Sequence, residues 1–284
     1  MSDIRPKIQL NDGREIPTIG YGTWLTPAAE AHVRVRQAIE AGYRHIDCAA
    51  VYDNEPQVGQ GIRESDIPRS ELFVTSKVWN THRGFDQVLR AFEKTITDLR
   101  ADYLDLYLVH WPANETQYPS DAWRHLNAAT WRAMERLHDE GAAKSIGVSN
   151  FLPHHLDALA LTANIPPAVN QIEFHPGYYQ SDLVQYCFAN GIAVEAWSPL
   201  GSGRILNDKT LADIANHYNR TIAQLCIRWV LQHGIIALPK SLNPARMQQN
   251  LSVDDFVISD NDMRKIDQLP EMGYSGSHPD KVTF

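Results

Sequence analysis

Four side chains in this sequence could act together on a carbonyl group if the chain folds them into one place: Asp47, Tyr52, Lys77 and His110. Asp47 closes the stretch Gly42-Tyr43-Arg44-His45-Ile46-Asp47, which reads as a short buried strand ending in an acid, and Tyr52 follows in the next loop. A lysine buried at a strand end is costly unless paired, and Asp47 is the natural partner of Lys77. A lysine beside a phenol favours the phenolate and lowers its pKa from the usual value of about 10. That would equip Tyr52 to give and take a proton near neutral pH. His110 adds an uncharged donor for a carbonyl oxygen, and Trp24, Trp79 and Trp111 offer flat apolar walls for the same mouth. The set describes a dry aromatic pocket that polarises a carbonyl.

Competing chemistries are poorly served. Gly147-Val148-Ser149-Asn150-Phe151 is not a GxSxG nucleophile elbow. The adjacent pair His154-His155 has the wrong spacing for one helical face, so no metal site is expected there. Glu173 and Glu195 invite a hydrolase reading, since paired carboxylates cleave glycosides, but Glu195 lies two residues inside its strand. His45 is assigned to the face of its strand opposite Asp47 and to a structural role, and Cys48 to small core filling. Polarising a carbonyl without a nucleophile calls for an electron source, and no side chain supplies hydride; a nicotinamide cofactor does.

A cofactor site can be read independently. Leu238-Pro239-Lys240-Ser241 is followed by Arg246 and Asn250 along the next helix. Lysine, serine and a helix N-terminus make an anion pocket, and the further arginine suits a 2'-phosphate or an adenine face. Asn150 and Gln171 offer amide partners for a carboxamide, and Trp197 a stacking face.

The elements that must position these groups follow a two-beat rhythm. A hairpin, Lys7–Leu10 and Arg14–Pro17 around Asn11-Asp12-Gly13, opens the chain. Apolar strands are then expected at Thr18–Gly22, His45–Asp47, Phe73–Lys77, Leu104–His110, Ser145–Val148, Ala168–Glu173, Ala193–Trp197 and Ile235–Leu238. Helical periodicity separates nearly all of them, as in Phe85–Leu99, where Val88, Leu89, Phe92, Ile96 and Leu99 share one face. Asn54 is expected to cap the helix from Glu55, with Pro56 in its first turn. Strand–helix alternation implies parallel strands. Eight repeats in 284 residues fit an α/β protein of one domain, residues 1–284, built as a closed (β/α)8 TIM barrel with an N-terminal β-hairpin. An open dinucleotide-binding sheet lacks its fingerprint, because Gly59-Gln60-Gly61 falls inside a helix and Gly201-Ser202-Gly203 does not open one. The tail from Gly273 is polar and is expected to wrap the outside. All four groups and the cofactor residues then fall at C-terminal strand ends, where such barrels carry function.

Composition agrees. A net charge of -8 leaves no extended basic face for nucleic acid. Three scattered cysteines argue against a disulfide framework and fit a reducing compartment. No signal peptide or membrane-length apolar run is visible, so a cytoplasmic protein is expected.

These residues resemble the aldo-keto reductases along essentially the whole chain. Gly42-Tyr43-Arg44-His45-Ile46-Asp47 is similar to the family's first signature, Lys144-Ser145-Ile146-Gly147-Val148-Ser149-Asn150-Phe151 to its second and Leu238-Pro239-Lys240-Ser241 to its third. The resemblance implies a catalytic tetrad of Asp47, Tyr52, Lys77 and His110, with Tyr52 as general acid in reduction of a small carbonyl substrate. It implies NADPH as cofactor, with Ser149, Asn150 and Gln171 on the carboxamide and Trp197 stacked on the nicotinamide. Lys240, Ser241, Arg246 and Asn250 would hold the 2'-phosphate end, with Gln249 standing where many members have Glu. Gly22, Thr23, Asp47, Ser198, Leu200 and Gly201 would complete the cofactor contacts. Short connections after Trp111 and Gly201, and the ending Gly276-Ser277-His278-Pro279-Asp280, resemble the bacterial 2,5-diketo-D-gluconate reductase group and imply a more open mouth, while a monomer is what the family resemblance implies. A cofactor-binding subunit without catalysis is the alternative, and an intact Tyr52 argues against it.

Overall fold

The computed structural model of the chain describes residues 6–284. A two-stranded antiparallel hairpin, β1 (Lys7–Gln9) and β2 (Glu15–Pro17), precedes an eight-stranded sheet. The sheet runs β3 (Tyr21–Gly22), β4 (His45–Asp47), β5 (Phe73–Val78), β6 (Leu104–Val109), β7 (Ala143–Ser149), β8 (Val169–Glu173), β9 (Ala193–Trp197) and β10 (Ile236–Leu238), each parallel to its sequence neighbour. A parallel bridge between Ile19 and Ala237 brings its two edges together, with Gly20 N–H donating to the Ala237 carbonyl at 2.9 Å and Ala237 N–H to that of Thr18 at 2.9 Å. Closure removes the exposed edges of the sheet. The seam explains why only Tyr21–Gly22 of the expected Thr18–Gly22 strand is regular: Thr18–Gly20 pairs with β10 while Tyr21–Gly22 pairs with β4.

Helices α1 (Ala28–Ala41), α2 (Glu55–Arg63), α3 (Phe85–Leu99), α4 (Ala122–Asp139), α5 (Pro153–Ala160), α6 (Ser181–Ala189), α7 (Lys209–His217) and α8 (Ile222–Gln232) fill the connections, and α9 (Pro244–Leu251) and α10 (Asp260–Asp267) follow β10. Their boundaries have local causes. Gly42 ends α1 at φ 111°, a left-handed conformation open to glycine. Thr221 and Gln224 form a reciprocal capping box at the start of α8. Gly59 and Gly61 are packing residues: a Cβ at 59 would lie 2.1 Å from the Leu99 carbonyl oxygen and one at 61 2.5 Å from that of His32. They let α2 press against α1 and α3.

Strand alternation sorts the side chains into two cores. Outward residues such as Ile46, Val74, Tyr107, Ile146 and Ile172 pack in the large cluster with the helices. Inward residues Phe73, Leu106, Leu108, Val169, Ile236 and Leu238 form a second cluster, joined by Leu10 and Ile16 of the hairpin. The hairpin is tied to the N-terminal ends of the strands: Asn11 donates to the Pro167 carbonyl at 2.9 Å, Arg14 to that of Lys144 at 3.0 Å, and Ser145 to the Asp12 carboxylate at 2.5 Å. It therefore closes the bottom of the barrel.

Candidate active site

Above that apolar floor the inward positions turn polar. His45 and Asp47 of β4 sit two residues apart and share the interior face, which corrects the expectation that His45 points away. Its Nε2 lies 3.0 Å from Thr75 Oγ1 inside the barrel, and burial drops its pKa to about 3, so the ring is neutral. Gly20 makes room for it, since a Cβ there would fall 2.7 Å from the ring.

Lys77, fully buried on β5, reaches across to β4. Its Nζ donates to Asp47 Oδ1 at 2.7 Å, to Oδ2 at 2.8 Å and to the Cys48 carbonyl at 2.9 Å. Desolvation pulls the ammonium's pKa down, but the Asp47 charge, Tyr52 and the hydrogen bonds to Asp47 together outweigh it and leave the pKa raised, so Lys77 carries its charge. Tyr52 ends a single helical turn, Ala50–Tyr52, that places its ring 5.2 Å from Lys77 Nζ. Here the expectation of a lowered phenol pKa fails. Burial outweighs the pull of Lys77 and pushes Tyr52 up to about 12. Lys77 favours the phenolate both through its charge and through a side-chain hydrogen bond, but neither overcomes burial. Tyr52 thus holds its proton at neutral pH.

His110 follows β6. Its ring meets Tyr52 edge-on at 5.8 Å and Trp79 at 5.0 Å. Burial, then the Lys77 charge, pushes its pKa well below the ordinary imidazole value, so it is neutral. The structure therefore brings Asp47, Tyr52, Lys77 and His110 together at the C-terminal mouth.

Asn54, expected as a cap, is the first residue before α2 but gives its side chain elsewhere. Its Nδ2 donates to the carbonyls of Thr23 and Thr26, both at 3.1 Å. Thr23 in turn donates its hydroxyl to the Asp47 carbonyl at 2.9 Å. The loop after β3 is thereby fixed to the acid-bearing strand, with Trp24 exposed at its lip. Glu55, buried, accepts from Ser76 at 2.6 Å and Thr95 at 3.2 Å, and binds the start of α2 to β5 and α3.

The residues considered for the cofactor line one side of the mouth. Asn150, at φ 63°, donates to the His110 carbonyl at 2.9 Å and accepts the Trp197 indole N–H at 2.8 Å. A left-handed non-glycine residue held by both neighbours is strain of the kind found at functional sites. Ser149 donates to the Gln171 carbonyl at 2.7 Å. The Gln171 amide nitrogen is already spent, on Asp47 Oδ1 at 2.9 Å and Glu195 Oε2 at 2.9 Å, so only its carbonyl oxygen remains for a ligand. Ser198, at φ 50°, pairs with Ser202 at 2.9 Å, and Gly201 N–H closes the turn on the Ser198 carbonyl at 2.8 Å beside Leu200. Gly22 N–H donates to the Pro239 carbonyl at 3.2 Å, and Lys240 Nζ to that of Leu25 at 3.3 Å, which seats the Lys240–Ser241 loop against the Trp24 loop. Arg246 and Gln249 are exposed on α9 and Asn250 is buried. The anion pocket differs in one respect from expectation. Asn243 Oδ1 accepts from Ala245 and Arg246 N–H, so the N-terminus of α9 is occupied by its own cap and side chains carry the positive charge.

The tail does not wrap the outside. It crosses the mouth, with Phe284 stacked on Trp79 at 5.4 Å and edge-on to the buried Trp111 at 5.4 Å. Asn114 donates to the carbonyls of Pro279 at 2.8 Å and Val282 at 2.9 Å, and Asn80 to that of Phe284 at 3.1 Å. The tail thus adds Phe284 to the aromatic rim formed by Trp79 and Trp111. A terminal aromatic at the end of a polar stretch has no periodicity, and no sequence signal pointed to it. His154 and His155 also converge despite their adjacency, with Nε2 atoms 3.0 and 3.2 Å from Asp280 Oδ1. His155 Nδ1 accepts the Leu152 N–H at 3.1 Å, so its Nε2 bears the proton and donates. A metal-bound histidine donates from its other nitrogen; this pair is instead a clasp on the tail.

The paired-carboxylate reading fails on geometry. Glu173 accepts from Ser275 N–H at 2.9 Å and Ser275 hydroxyl at 2.7 Å and is committed to the tail, while Glu195 is wholly buried.

With this arrangement in view, comparison identifies the class. Residues 18–271 match the Aldo/keto reductase family, and the chain belongs to it. Among its relatives, a glyoxal reductase of Bacillus subtilis is 44% identical over 284 residues, covering 100% of this chain and 99% of that protein. The solved structure of a Gox0644 variant in complex with NADPH superposes with a TM-score of 0.91 at 40% identity, covering 99% of this chain and 100% of the other. An aldo-keto reductase of Bombyx mori in complex with NADP gives 0.85 at 39% identity, covering 93% and 92%.

Proposed function

We propose that the chain is an NADPH-dependent reductase of small aldehydes and ketones, with Asp47, Tyr52, Lys77 and His110 as its catalytic residues. The observation that carries this is the buried Lys77–Asp47 pair, at 2.7 Å, beneath a protonated Tyr52 and a neutral His110. The relatives that bind NADP or NADPH support the cofactor. So does the donor set: a partly exposed Trp197 face fixed by Asn150, the free oxygen of Gln171, and the cations Lys240 and Arg246 at the far end. When bound, the nicotinamide supplies hydride to the carbonyl carbon. Tyr52 donates a proton to the oxygen, and the Lys77 charge, held by Asp47, stabilises the phenolate that forms. His110, whose Nδ1 is buried without a partner, uses Nε2 to orient the carbonyl. The high pKa of Tyr52 favours reduction over alcohol oxidation, which needs the phenolate.

The glyoxal reductase relative and the aromatic wall of Trp79, Trp111 and Phe284 favour small α-oxoaldehydes, with diketo acids and simple aldehydes compatible. The short loops support a place near the 2,5-diketo-D-gluconate reductases, acting as a monomer in the cytoplasm. No described helix is long and apolar enough to cross a membrane. The test is NADPH and NADH oxidation against a panel of small carbonyls, beside Tyr52→Phe. NADPH-dependent turnover that disappears in the variant supports the assignment. Binding without turnover on any carbonyl points to a cofactor-binding subunit, and absence of both refutes it.

A further inference from the structure

Beneath the proposed catalytic residues lies a carboxyl group that the mechanism above does not use. Glu195 projects inward from β9 and is 0% exposed. Its Oε2 accepts from Gln171 Nε2 at 2.9 Å, and the same nitrogen donates to Asp47 Oδ1 at 2.9 Å. One amide thus uses both its N–H bonds to link two carboxyl groups. The other oxygen, Oε1, is buried with no hydrogen-bond partner.

The charge count decides what state this can be. The groups facing Glu195 are His45 and Asp47 from β4, Thr75 and Lys77 from β5, and Gln171 from β8; β10 contributes apolar Ile236 and Leu238. The one cation among them is Lys77, and its contacts go to Asp47 and the Cys48 carbonyl. His45 stands 3.7 Å from Glu195 Oε1, beyond hydrogen-bond reach, and is bonded to Thr75. A second buried anion here would have one unpaired oxygen and would share a single lysine with Asp47. Such a group neutralises rather than remain charged. Burial and the Asp47 anion raise its pKa to about 8, in the same direction.

We infer that Glu195 is a positioning residue of the reductase centre, held as a neutral acid and joined through the Gln171 amide to Asp47, and that its ionisation disables the centre. This rests on the reductase reading. The neutral acid leaves Asp47 as the one anion, so the Lys77 charge is balanced once and remains effective at Tyr52. It also holds the Gln171 side chain, leaving its oxygen as the acceptor offered to the proposed carboxamide. When the proton leaves to solvent at alkaline pH, a second anion enters the network. It opposes phenolate formation on Tyr52 and competes with Asp47 for the Gln171 N–H groups.

Two readouts test this on the full-length protein. The first is the infrared carbonyl band of a protonated carboxylic acid in the cofactor-free protein at neutral pH, taken as wild type minus Glu195→Gln. The second is the pH profile of kcat with NADPH and a small aldehyde. The inference expects the band in the difference spectrum and an alkaline fall in kcat near pH 8 in the wild type. That fall moves up by more than one unit in Glu195→Gln, which keeps an acceptor for Gln171 but cannot ionise. Glu195→Leu, which leaves a Gln171 N–H unpaired, lowers kcat about tenfold across the range with little change in KM. A missing band, or superimposable profiles for wild type and Glu195→Gln, overturns the inference while leaving the reductase reading intact. Wild-type protein that binds NADPH but reduces no carbonyl sinks that reading and the positioning role with it. The band then still reports whether the acid is neutral.

Discussion

Lys77 and Asp47 form an ion pair on adjacent strands, Nζ to Oδ1 at 2.7 Å, with the lysine wholly buried and the aspartate nearly so. A pair this deep is weak evidence for stability in itself, but breaking it leaves an uncompensated charge, at a cost of about 3–5 kcal/mol. Lys77→Met therefore strands Asp47 between Gln171 and Glu195. The expected loss on chemical denaturation is about 3 kcal/mol, together with loss of reductase turnover. A variant within about 1 kcal/mol of wild type contradicts the charge assignment.

His110 is held neutral by burial and by Lys77, both pushing its pKa down. Protonation of this ring should therefore not set an acid limb between about pH 5.5 and 7.5, where an ordinary histidine titrates. An NMR titration of the His110 ring should be flat over that interval. A midpoint inside it means that water reaches the ring freely.

Glu195 makes a thermodynamic prediction as well. Its pKa rises from the ordinary 4.5 to about 8 on folding. The folded state then holds a proton the unfolded state has lost, so this contribution is full below pH 4.5 and is lost as pH climbs through 8. The denaturation midpoint of the wild type should fall with pH over that window relative to Glu195→Gln. Parallel curves would show that the group ionises alike in both states.

Arg246 lies exposed on α9, just inside a helix N-terminus that caps itself. Arg246→Ala should weaken NADPH binding about tenfold, the equivalent of roughly 1.4 kcal/mol for a charge-assisted contact, and NADH binding much less. Fluorescence titration measures both. Equal losses for the two cofactors exclude a 2'-phosphate contact.

Phe284 stacks on Trp79 at the mouth. Phe284→Ala should red-shift the tryptophan emission and raise KM for small aromatic aldehydes several-fold, as one wall of the pocket is lost. An unchanged KM places the substrate away from Trp79.

The barrel was legible because each strand is a short apolar run followed by a helical period, and the groups proposed for catalysis because costly residue types sit at strand ends. What escaped depends on depth. The Tyr52 loop reads as a lysine-assisted phenolate until burial is known, and burial reverses the shift. Strand parity, applied correctly, already puts His45 beside Asp47 on the inner face. The Gln171 bridge joins residues 124 positions apart in sequence, and no local pattern encodes it. The tail's course over the mouth rests on carbonyl contacts to Asn80 and Asn114, which any polar segment could make.

The β1–β2 hairpin has a consequence for proton traffic. With Leu10 and Ile16 in the apolar cluster at the bottom of the barrel, the buried polar layer of His45, Gln171 and Glu195 is sealed from that end. The barrel is a cul-de-sac. On the proposed mechanism, protons reach Tyr52 through the mouth beside Phe284, so recharging the acid after each reduction would be tied to the departure of the alcohol. On the same mechanism, loosening the hairpin, far from any proposed catalytic group, would open a second door and uncouple the two.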